Sequence, residues 1–211
     1  HLCDRRQRQM CIRDSARTVR ALRLYALGLF KYIAVADVLN MVVDTVFPHY
    51  ADYSAPMLIL TAVMYTFYLY FSFSGYSEIS RATGLVLGLD LPENFKTPFY
   101  ATNFSGFWSR WHISFSSWLQ DYLFMPLAWA DVSGVTHGRL TRLPAEVCVF
   151  TVFFVSGFWH GAGWNFVLWG ALHGALYLVT RAWQRRQPWQ QCAADVHVHS
   201  GTKKSGVFSA V

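Results

Sequence analysis

The stretch that decides the fold is VCVFTVFFVSGFWHGAGWNFVLWGALHGALYLVT, residues 147–180. It holds no Asp, Glu, Lys or Arg, and as one straight helix it would be roughly 50 Å long, beyond a hydrocarbon core of about 30 Å. Gly157, Gly161 and Gly163 interrupt its middle, and glycine inside an apolar run favours a break. The sequence therefore predicts two apolar helical arms joined at these glycines, as a broken or re-entrant membrane segment.

Two more apolar segments precede this run. Residues 53–77 carry no charge, and they predict a membrane helix that is entered at Pro56 and left near Gly75. Residues 24–47 are apolar with charged interruptions, so this helix either packs a polar stripe inside a bundle or lies at the membrane interface. The interrupting residues are Lys31, Asp37 and Asp44.

The segments between these runs are less regular. Residues 81–101 are more polar and predict a short helix followed by a loop. Residues 111–130 contain one charged residue, Asp121, and their internal serines and Pro126 favour an interfacial or broken helix over a plain membrane span.

Composition excludes an ordinary soluble enzyme. Charged residues make up 14% of the 211 positions, against about 25% in soluble domains, while 54% are hydrophobic. The same figures exclude intrinsic disorder for most of the chain. An aromatic content of 18% suits interfacial and packed regions. The fold class predicted is all-α, a polytopic transmembrane helical bundle.

The net charge of +6 is concentrated beside the apolar runs. One basic cluster precedes residue 24, and a second, Arg181 with Arg185 and Arg186, follows the longest run. Basic flanks of this kind are typical of the cytoplasmic edge of a membrane, so nucleic-acid binding is not predicted. The four cysteines show no C-x-x-C spacing, and they indicate neither a disulfide framework nor a zinc knuckle.

Two histidines beside tryptophans are the candidate catalytic residues. His112 lies in FWSRWHIS, and His160 lies in GFWHGAGW at the predicted break. A neutral imidazole can take a proton from a hydroxyl near pH 7, and ionisable groups are costly inside apolar segments, so His160 indicates function. For His112 the residues leave two interpretations open, a functional imidazole or part of an interfacial anchor with Arg110 and Trp111.

Other catalytic classes lack their motifs. Neither histidine has an H-x-x-x-H, H-E-x-x-H or cysteine partner, so no metal site is predicted. There is no G-x-S-x-G nucleophile motif and no nucleotide-binding glycine loop, and Cys148 lies in an apolar run that blunts a thiol. His173 is out of phase with His160 on one regular helix, and it is expected to be a packed or lipid-edge histidine.

Several motifs together resemble a known family. The run FWSRWHISFSSWLQDYLFMP, residues 107–126, resembles the signature of the membrane-bound O-acyltransferase (MBOAT) family, in its bacterial polysaccharide branch of the alginate O-acetylation type. FSFSGYSE at 71–78, LPENF at 91–95 and the run 157–174 resemble further motifs of that branch in the same order. The resemblance covers roughly residues 24–183, and its two histidine motifs together are highly specific.

The resemblance implies a partial MBOAT fold with a tunnel where an acyl donor and a hydroxyl acceptor meet from opposite membrane sides. It implies an acyltransferase that moves an acetyl or similar short acyl group onto hydroxyls of an extracellular polysaccharide such as alginate. His160 would be the general base, and His112 would orient the substrate or hydrogen-bond the donor carbonyl. Residues expected to line the tunnel or hold the imidazoles are Trp108, Arg110, Trp111, Trp118, Asp121, Tyr122, Trp159, Trp164 and Asn165.

The implied surroundings follow from this activity. The chain would lie as a multi-pass protein in the bacterial cytoplasmic (inner) membrane, with a polysaccharide acceptor and companion periplasmic or membrane acetylation proteins. The acyl donor would be acetyl-CoA or a carrier-derived acetyl group, with no tightly bound cofactor. Three rival interpretations stay open: D-alanyl transfer to teichoic acid, a non-catalytic conduit with proton-relay histidines, and an inactive structural fragment.

The chain divides by composition into three parts. Residues 1–20 are basic and aperiodic, and they are expected to be disordered or foreign to the native protein. Residues 21–186 are expected to form the catalytic-core helices, and residues 187–211 a disordered tail. The resemblance also implies that the chain is the catalytic middle of a longer protein.

Overall fold

A computed structural model describes the backbone of residues 2–136 and 141–186, and the side chains from residue 15 onward within these ranges. The described residues contain helices and no strand, so the predicted all-helical class is confirmed for them. The chain forms two compact units, His1–Asn94 and Phe95–Val211. The helices are α1 (Leu2–Leu29), α2 (Asp37–Val46), α3 (Ala55–Leu87), α4 (Phe104–Trp108), α5 (Ile113–Leu119), α6 (Met125–Trp129), α7 (Ala145–His160) and α8 (Trp164–Arg185).

The first unit contains two helical stretches that are long and apolar enough to cross a membrane, judged by length and composition. One is Ser15–Asp52, in which a π-helical segment, Phe30–Ala36, joins α1 to α2 and a 3-10 turn, Phe47–Asp52, follows. The other is α3, which has Pro56 in its first turn, where a missing N–H leaves no helical hydrogen bond unmade.

Gly75 does not end α3, which corrects the sequence-based boundary. The helix continues to Leu87 and stops at Gly88, whose φ of 89° is the left-handed conformation that favours glycine. Gly75 instead packs against Gly28 of α1, since a Cβ on either glycine would lie 2.8 Å from the carbonyl oxygen of the other. The glycine allows the two backbones to approach closely and is not a helix breaker here.

An ion pair lies one turn beyond this glycine contact. Lys31 Nζ donates to Glu78 Oε1 at 2.6 Å, and each side chain is 17% exposed. Asp37 and Asp44 are exposed on the same helical stretch. Lys31 therefore packs against another helix, which is the first of the two alternatives for residues 24–47. The carboxylates of Asp37 and Asp44 face outward.

The N-terminal end of α1 differs from the expectation of disorder. The backbone is helical from Leu2. The physical reason is composition, because residues 2–27 contain no Gly or Pro and many good helix formers such as Arg, Gln, Leu and Ala. Whether residues 1–20 belong to the native protein stays a prediction, as does the three-part division. The expected tail, 187–211, lies outside the described residues.

In the second unit α7 and α8 form an antiparallel hairpin, which confirms the predicted break at Gly161 and Gly163. Gly157 does not interrupt the run as predicted, because it lies inside α7, where it contacts α8. The two backbones come close at Gly157 and Gly170, because a Cβ on Gly170 would lie 2.6 Å from the carbonyl oxygen of Phe153. At the open end of the hairpin Arg185 Nη1 donates to Glu146 Oε1 at 3.0 Å. The glycines permit a contact that larger side chains would prevent.

A compact aromatic and aliphatic core anchors the shorter helices to this hairpin. A π-helical turn, Gln120–Phe124, joins α5 to α6 directly before Pro126, whose missing N–H cannot complete a regular helical turn. The segment 111–130 is thus a broken helix, as the serines and Pro126 predict. The buried core residues are Trp108, Leu119, Phe124, Cys148, Val149, Val152, Phe153 and Tyr177.

Candidate active site

The break between α7 and α8 positions His160. This residue is the last of α7, and Gly161 follows it in extended backbone. A Cβ on Gly161 would overlap the ring of Phe166, so the turn is closed too tightly for a larger residue. Phe166 N–H then donates to the Gly163 carbonyl at 3.0 Å as α8 begins. His160 is consequently held at the tip of the hairpin, where it is exposed.

His112 is positioned by an unusual backbone conformation. Its φ of 45° and ψ of 55° lie in the left-handed region, directly before α5. Its carbonyl accepts the Ser116 N–H at 3.0 Å, and Lys96 N–H donates to the Arg110 carbonyl at 3.0 Å. A left-handed non-glycine residue costs about 1 kcal/mol, and such costs concentrate at functional sites. The surrounding packing therefore fixes this imidazole at the expense of backbone strain.

Phe115 and Trp159 bring the two candidate imidazoles together. The Phe115 ring centroid lies 5.0 Å from that of His112 and 6.4 Å from that of His160. The Trp159 ring lies 6.4 Å from His112 and 5.1 Å from His160. The separation of the two imidazoles cannot exceed the sum of the two Phe115 distances, so the motifs meet in one cluster although they are distant in sequence.

A third imidazole lies next to this cluster. Trp169 contacts His160 edge-on at 4.9 Å and His173 at 4.3 Å between ring centroids. His173 Nδ1 lies 2.9 Å from the Trp169 carbonyl oxygen. Because a carbonyl oxygen only accepts, Nδ1 carries the hydrogen in this contact, and Nε2 of the neutral ring is the acceptor. The ring of Trp108 packs edge-on against His173 at 5.6 Å.

The structure brings four of the predicted tunnel residues into contact with this cluster or its extension. Trp159 and Trp108 contact imidazoles directly. Trp118 stacks on Phe115 at 6.5 Å, and Tyr122 stacks on Trp118 at 5.6 Å. Trp118, Tyr122 and Trp159 are all exposed, whereas Trp108 is buried and its Nε1 has no hydrogen-bond partner in the part of the chain that the structure describes.

The other predicted residues have different surroundings. Trp111 stacks on Phe107 at 5.5 Å, and Trp164 and Asn165 are exposed in the first turn of α8. Arg110 is half-buried and Asp121 is exposed, and within the described ranges neither makes a hydrogen bond or ion pair with an imidazole. A role for these two residues in holding the histidines stays a prediction.

Burial determines the electrostatics of His112. It lowers the pKa of this imidazole from 6.5 to about 4, and the neighbouring His160 lowers it in the same direction. His112 is therefore neutral at pH 7 and can donate one hydrogen bond and accept another. Among residues 15–136 and 141–186, no three His, Cys, Asp or Glu side chains are grouped as metal ligands.

The family of the chain is given by comparison with known sequences. A sequence model of the membrane-bound O-acyltransferase family matches residues 4–202. The chain belongs to the MBOAT family. This match confirms the resemblance that the two histidine motifs indicated. Members of the family are membrane-bound enzymes that transfer acyl groups to oxygen, as the family name states.

Several curated relatives are similar over most of the chain. A peptidoglycan O-acetyltransferase of Helicobacter pylori is 38% identical over 162 residues, which cover 77% of this chain and 29% of that protein. A "Probable alginate O-acetylase" of Azotobacter vinelandii is 37% identical over 155 residues, 74% of this chain and 29% of the relative. A teichoic acid D-alanyltransferase of Bacillus subtilis is 32% identical over 129 residues, 59% of this chain and 32% of the relative. The chain thus spans less than a third of the length of these relatives.

The expectation that His173 is a packed histidine is confirmed, because its half-buried ring contacts Trp169, Trp108 and Phe104. Its nearness to His160 was not foreseen. The expectation of a packed histidine treated residues 160–173 as one regular helix, on which His173 is out of phase with His160. The break puts the two residues on different helices. His173 contacts Trp169 one turn away on α8, and the hairpin brings His160 onto the same tryptophan. The signal that could have found it is the His173-Gly174 pair within the matched run, because Gly174 lets α8 pack closely on Phe150 and Phe153.

Proposed function

We propose that this chain carries the active site of an MBOAT enzyme that transfers an acetyl or similarly short acyl group to hydroxyls of an extracellular polysaccharide. The observation that carries the proposal is the meeting of His112 and His160 around Phe115 and Trp159 at the helix break. The relatives named for O-acetylation of peptidoglycan and alginate support a glycan acceptor.

In the proposed reaction His160 is the general base. It takes the proton of the acceptor hydroxyl while the hydroxyl oxygen bonds to the acyl carbonyl carbon. The bond between that carbon and the donor then breaks, its electron pair leaves with the donor group, and that group takes up a proton. A base placed in this way contributes about 10²–10⁴ in rate.

His112 has a different part in the proposed reaction. As a neutral imidazole at pH 7 it orients the acyl group or donates a hydrogen bond to the acyl carbonyl oxygen, where negative charge develops. Its strained backbone fixes this donor before the substrate arrives, so little reorganisation is needed in the transition state.

The proposed setting is the bacterial inner membrane, crossed several times. The two candidate spans of the first unit and the α7–α8 hairpin would supply the crossings. Large apolar side chains that water would disfavour stay exposed on these helices, which suits contact with lipid or with further helices of a longer protein. Examples are Ile59, Leu60, Val63, Leu168, Leu172 and Val179.

The proposed partners are an acyl donor, a polysaccharide and companion acetylation proteins of the membrane or periplasm. Acetyl-CoA or a carrier-bound acetyl group would serve as donor, and the protein would need no tightly bound cofactor. The reaction needs only proton transfer and a fixed carbonyl, which imidazoles and hydrogen-bond donors supply.

D-alanyl transfer to teichoic acid is the second candidate, because a relative of that name is similar over 59% of the chain. The two activities differ in what mild alkali releases from the cell envelope. Acetate from an alginate-type or peptidoglycan fraction would support the first candidate and identify the acceptor. D-Alanine from a teichoic acid fraction would support the second.

The proposal is tested by His160→Asn in the full-length protein, expressed in cells without another acyltransferase of this type. Asparagine is close in size and still forms hydrogen bonds, but it cannot act as the base. We expect acyl ester on the acceptor to fall by about 100-fold or more at unchanged protein level and membrane insertion.

Trp159→Phe is the control variant, because it changes a ring that contacts both imidazoles and leaves both titratable groups in place. Its acyl transfer should stay within a few-fold of the unmodified protein. Near-normal acylation by His160→Asn would reject the general base and favour a conduit with relay histidines.

A further inference from the structure

His173 is an ionisable residue next to His160, and the reaction proposed above gives it no role. Its ring is half-buried among aromatic rings, with Trp169 at 4.3 Å, Trp108 at 5.6 Å and Phe104 at 5.8 Å. Its contact with the Trp169 carbonyl oxygen assigns the hydrogen of the neutral ring to Nδ1.

The contact that fixes the tautomer also suits a proton acceptor. Nδ1–H donates to the Trp169 carbonyl at 2.9 Å, which leaves Nε2 with a free electron pair in the neutral ring. If Nε2 takes a proton, the positive ring strengthens its hydrogen bond to the same carbonyl. A hydrogen bond of this kind also holds the direction of the second ring nitrogen.

The distance to His160 is short enough for the two imidazoles to serve one substrate. Both rings contact Trp169, at 4.9 Å for His160 and 4.3 Å for His173. Their centroids are therefore separated by no more than the sum of these distances, so a proton would pass between them through the substrate hydroxyl or water.

We propose that His173 is the second proton acceptor of the site, receiving at Nε2 the proton that His160 removes from the acceptor hydroxyl. This inference rests on the proposed function. The O–H bond of the acceptor breaks, its oxygen bonds to the acyl carbon, and the donor group leaves with the electron pair of its former bond. The proton moves from His160 to His173 and then to water, while the departing group takes a proton from water, so protons balance.

The test uses the full-length protein in the cell assay described above, with acyl ester measured per amount of protein. His173→Asn keeps a donor near the position of Nδ1 for the Trp169 carbonyl but has no basic nitrogen. We expect it to lower acyl transfer about 10-fold or more with normal membrane insertion. His49→Asn is the matched control, because His49 Nδ1 lies 3.4 Å from the Thr45 carbonyl, also four residues earlier, in the first unit.

Chemical rescue separates proton transfer from packing. In His173→Ala we expect added imidazole to restore part of the activity, and 1,2,4-triazole, which has the same shape but is a much weaker base, to restore none. Equal rescue by both compounds, no rescue by imidazole, or near-normal transfer by His173→Asn would overturn the role of His173. If His160→Asn is inactive while His173→Asn is active, this inference alone fails; if the unmodified protein forms no acyl ester, the proposed function fails.

Discussion

The histidines of this site differ in how they are fixed, and this difference determines what each can do. His160 ends a helix at an exposed turn, where a substrate hydroxyl can approach it. His112 is half-buried and strained, which suits a group that must stay neutral and in one orientation. His173 has one nitrogen bonded to a carbonyl and the other left as an acceptor. Three chemically identical rings are therefore expected to respond differently to the same substitution and to pH.

The pH dependence of acyl transfer should reveal the buried state of His112. Its pKa of about 4 lies below the ordinary 6.5, so the neutral ring persists as the pH falls through 6.5 and is lost only near pH 4. We expect the activity ratio of the unmodified protein to His112→Asn to be constant between about pH 5 and 8, and to fall toward pH 4. Rates measured in membrane vesicles across this range check the expectation, and a step in the ratio centred near pH 6.5 would contradict it.

At the scale of the elements, the glycine contact in the α7–α8 hairpin determines how closely the two helices that carry His160 and His173 approach each other. A Cβ on Gly157 would overlap the Phe166 carbonyl oxygen, so Gly157→Ala must push the helices apart. We expect a loss of stability of about 1–3 kcal/mol, visible as a lower melting temperature in detergent. Gly134→Ala is the control, since nothing lies within 4 Å of a Cβ there. Equal melting temperatures for both variants would show that the contact does not hold the hairpin.

The same elements show which parts of the fold can be predicted from sequence. The break at Gly161 and Gly163 was predictable, because an apolar run far longer than a bilayer must turn. The continuation of α3 past Gly75 was not, because a glycine that ends a helix and one that admits a neighbouring backbone look alike locally. His112 and His160 were predicted from their motifs, whereas the approach of His160 to Trp169, and so to His173, depends on the geometry of the hairpin.

At the scale of the whole molecule, the number of membrane crossings determines on which side each part lies. If the stretch Ser15–Asp52, α3, α7 and α8 each cross once, the basic segment near the start and the Arg181–Arg186 cluster lie on the same side. Both clusters are positive flanks close to apolar ends, so we predict that this side is cytoplasmic. The tip of the α7–α8 hairpin, with His160, would then open toward the outer face.

Single cysteines introduced into a background without native cysteines can test this topology. A membrane-impermeant maleimide added to intact cells should label Ser54→Cys and Ala162→Cys, which lie at the two outer turns. It should label Ser15→Cys and Arg186→Cys only after the membrane is opened. Labelling of one of the latter pair in intact cells would show an odd number of crossings and reject the arrangement.

The left-handed backbone at His112 also restricts how this position can evolve. Single-base changes in a histidine codon give Asn, Asp, Tyr, Gln, Arg, Leu or Pro. Among these, Asn and Asp adopt a positive φ most readily, and proline cannot adopt it at all. Of the two, asparagine alone adds no charge beside the aromatic rings. The genetic code and the local conformation together leave asparagine as the most accessible replacement, so in a library of random single-base changes it should be the most frequent survivor at this site.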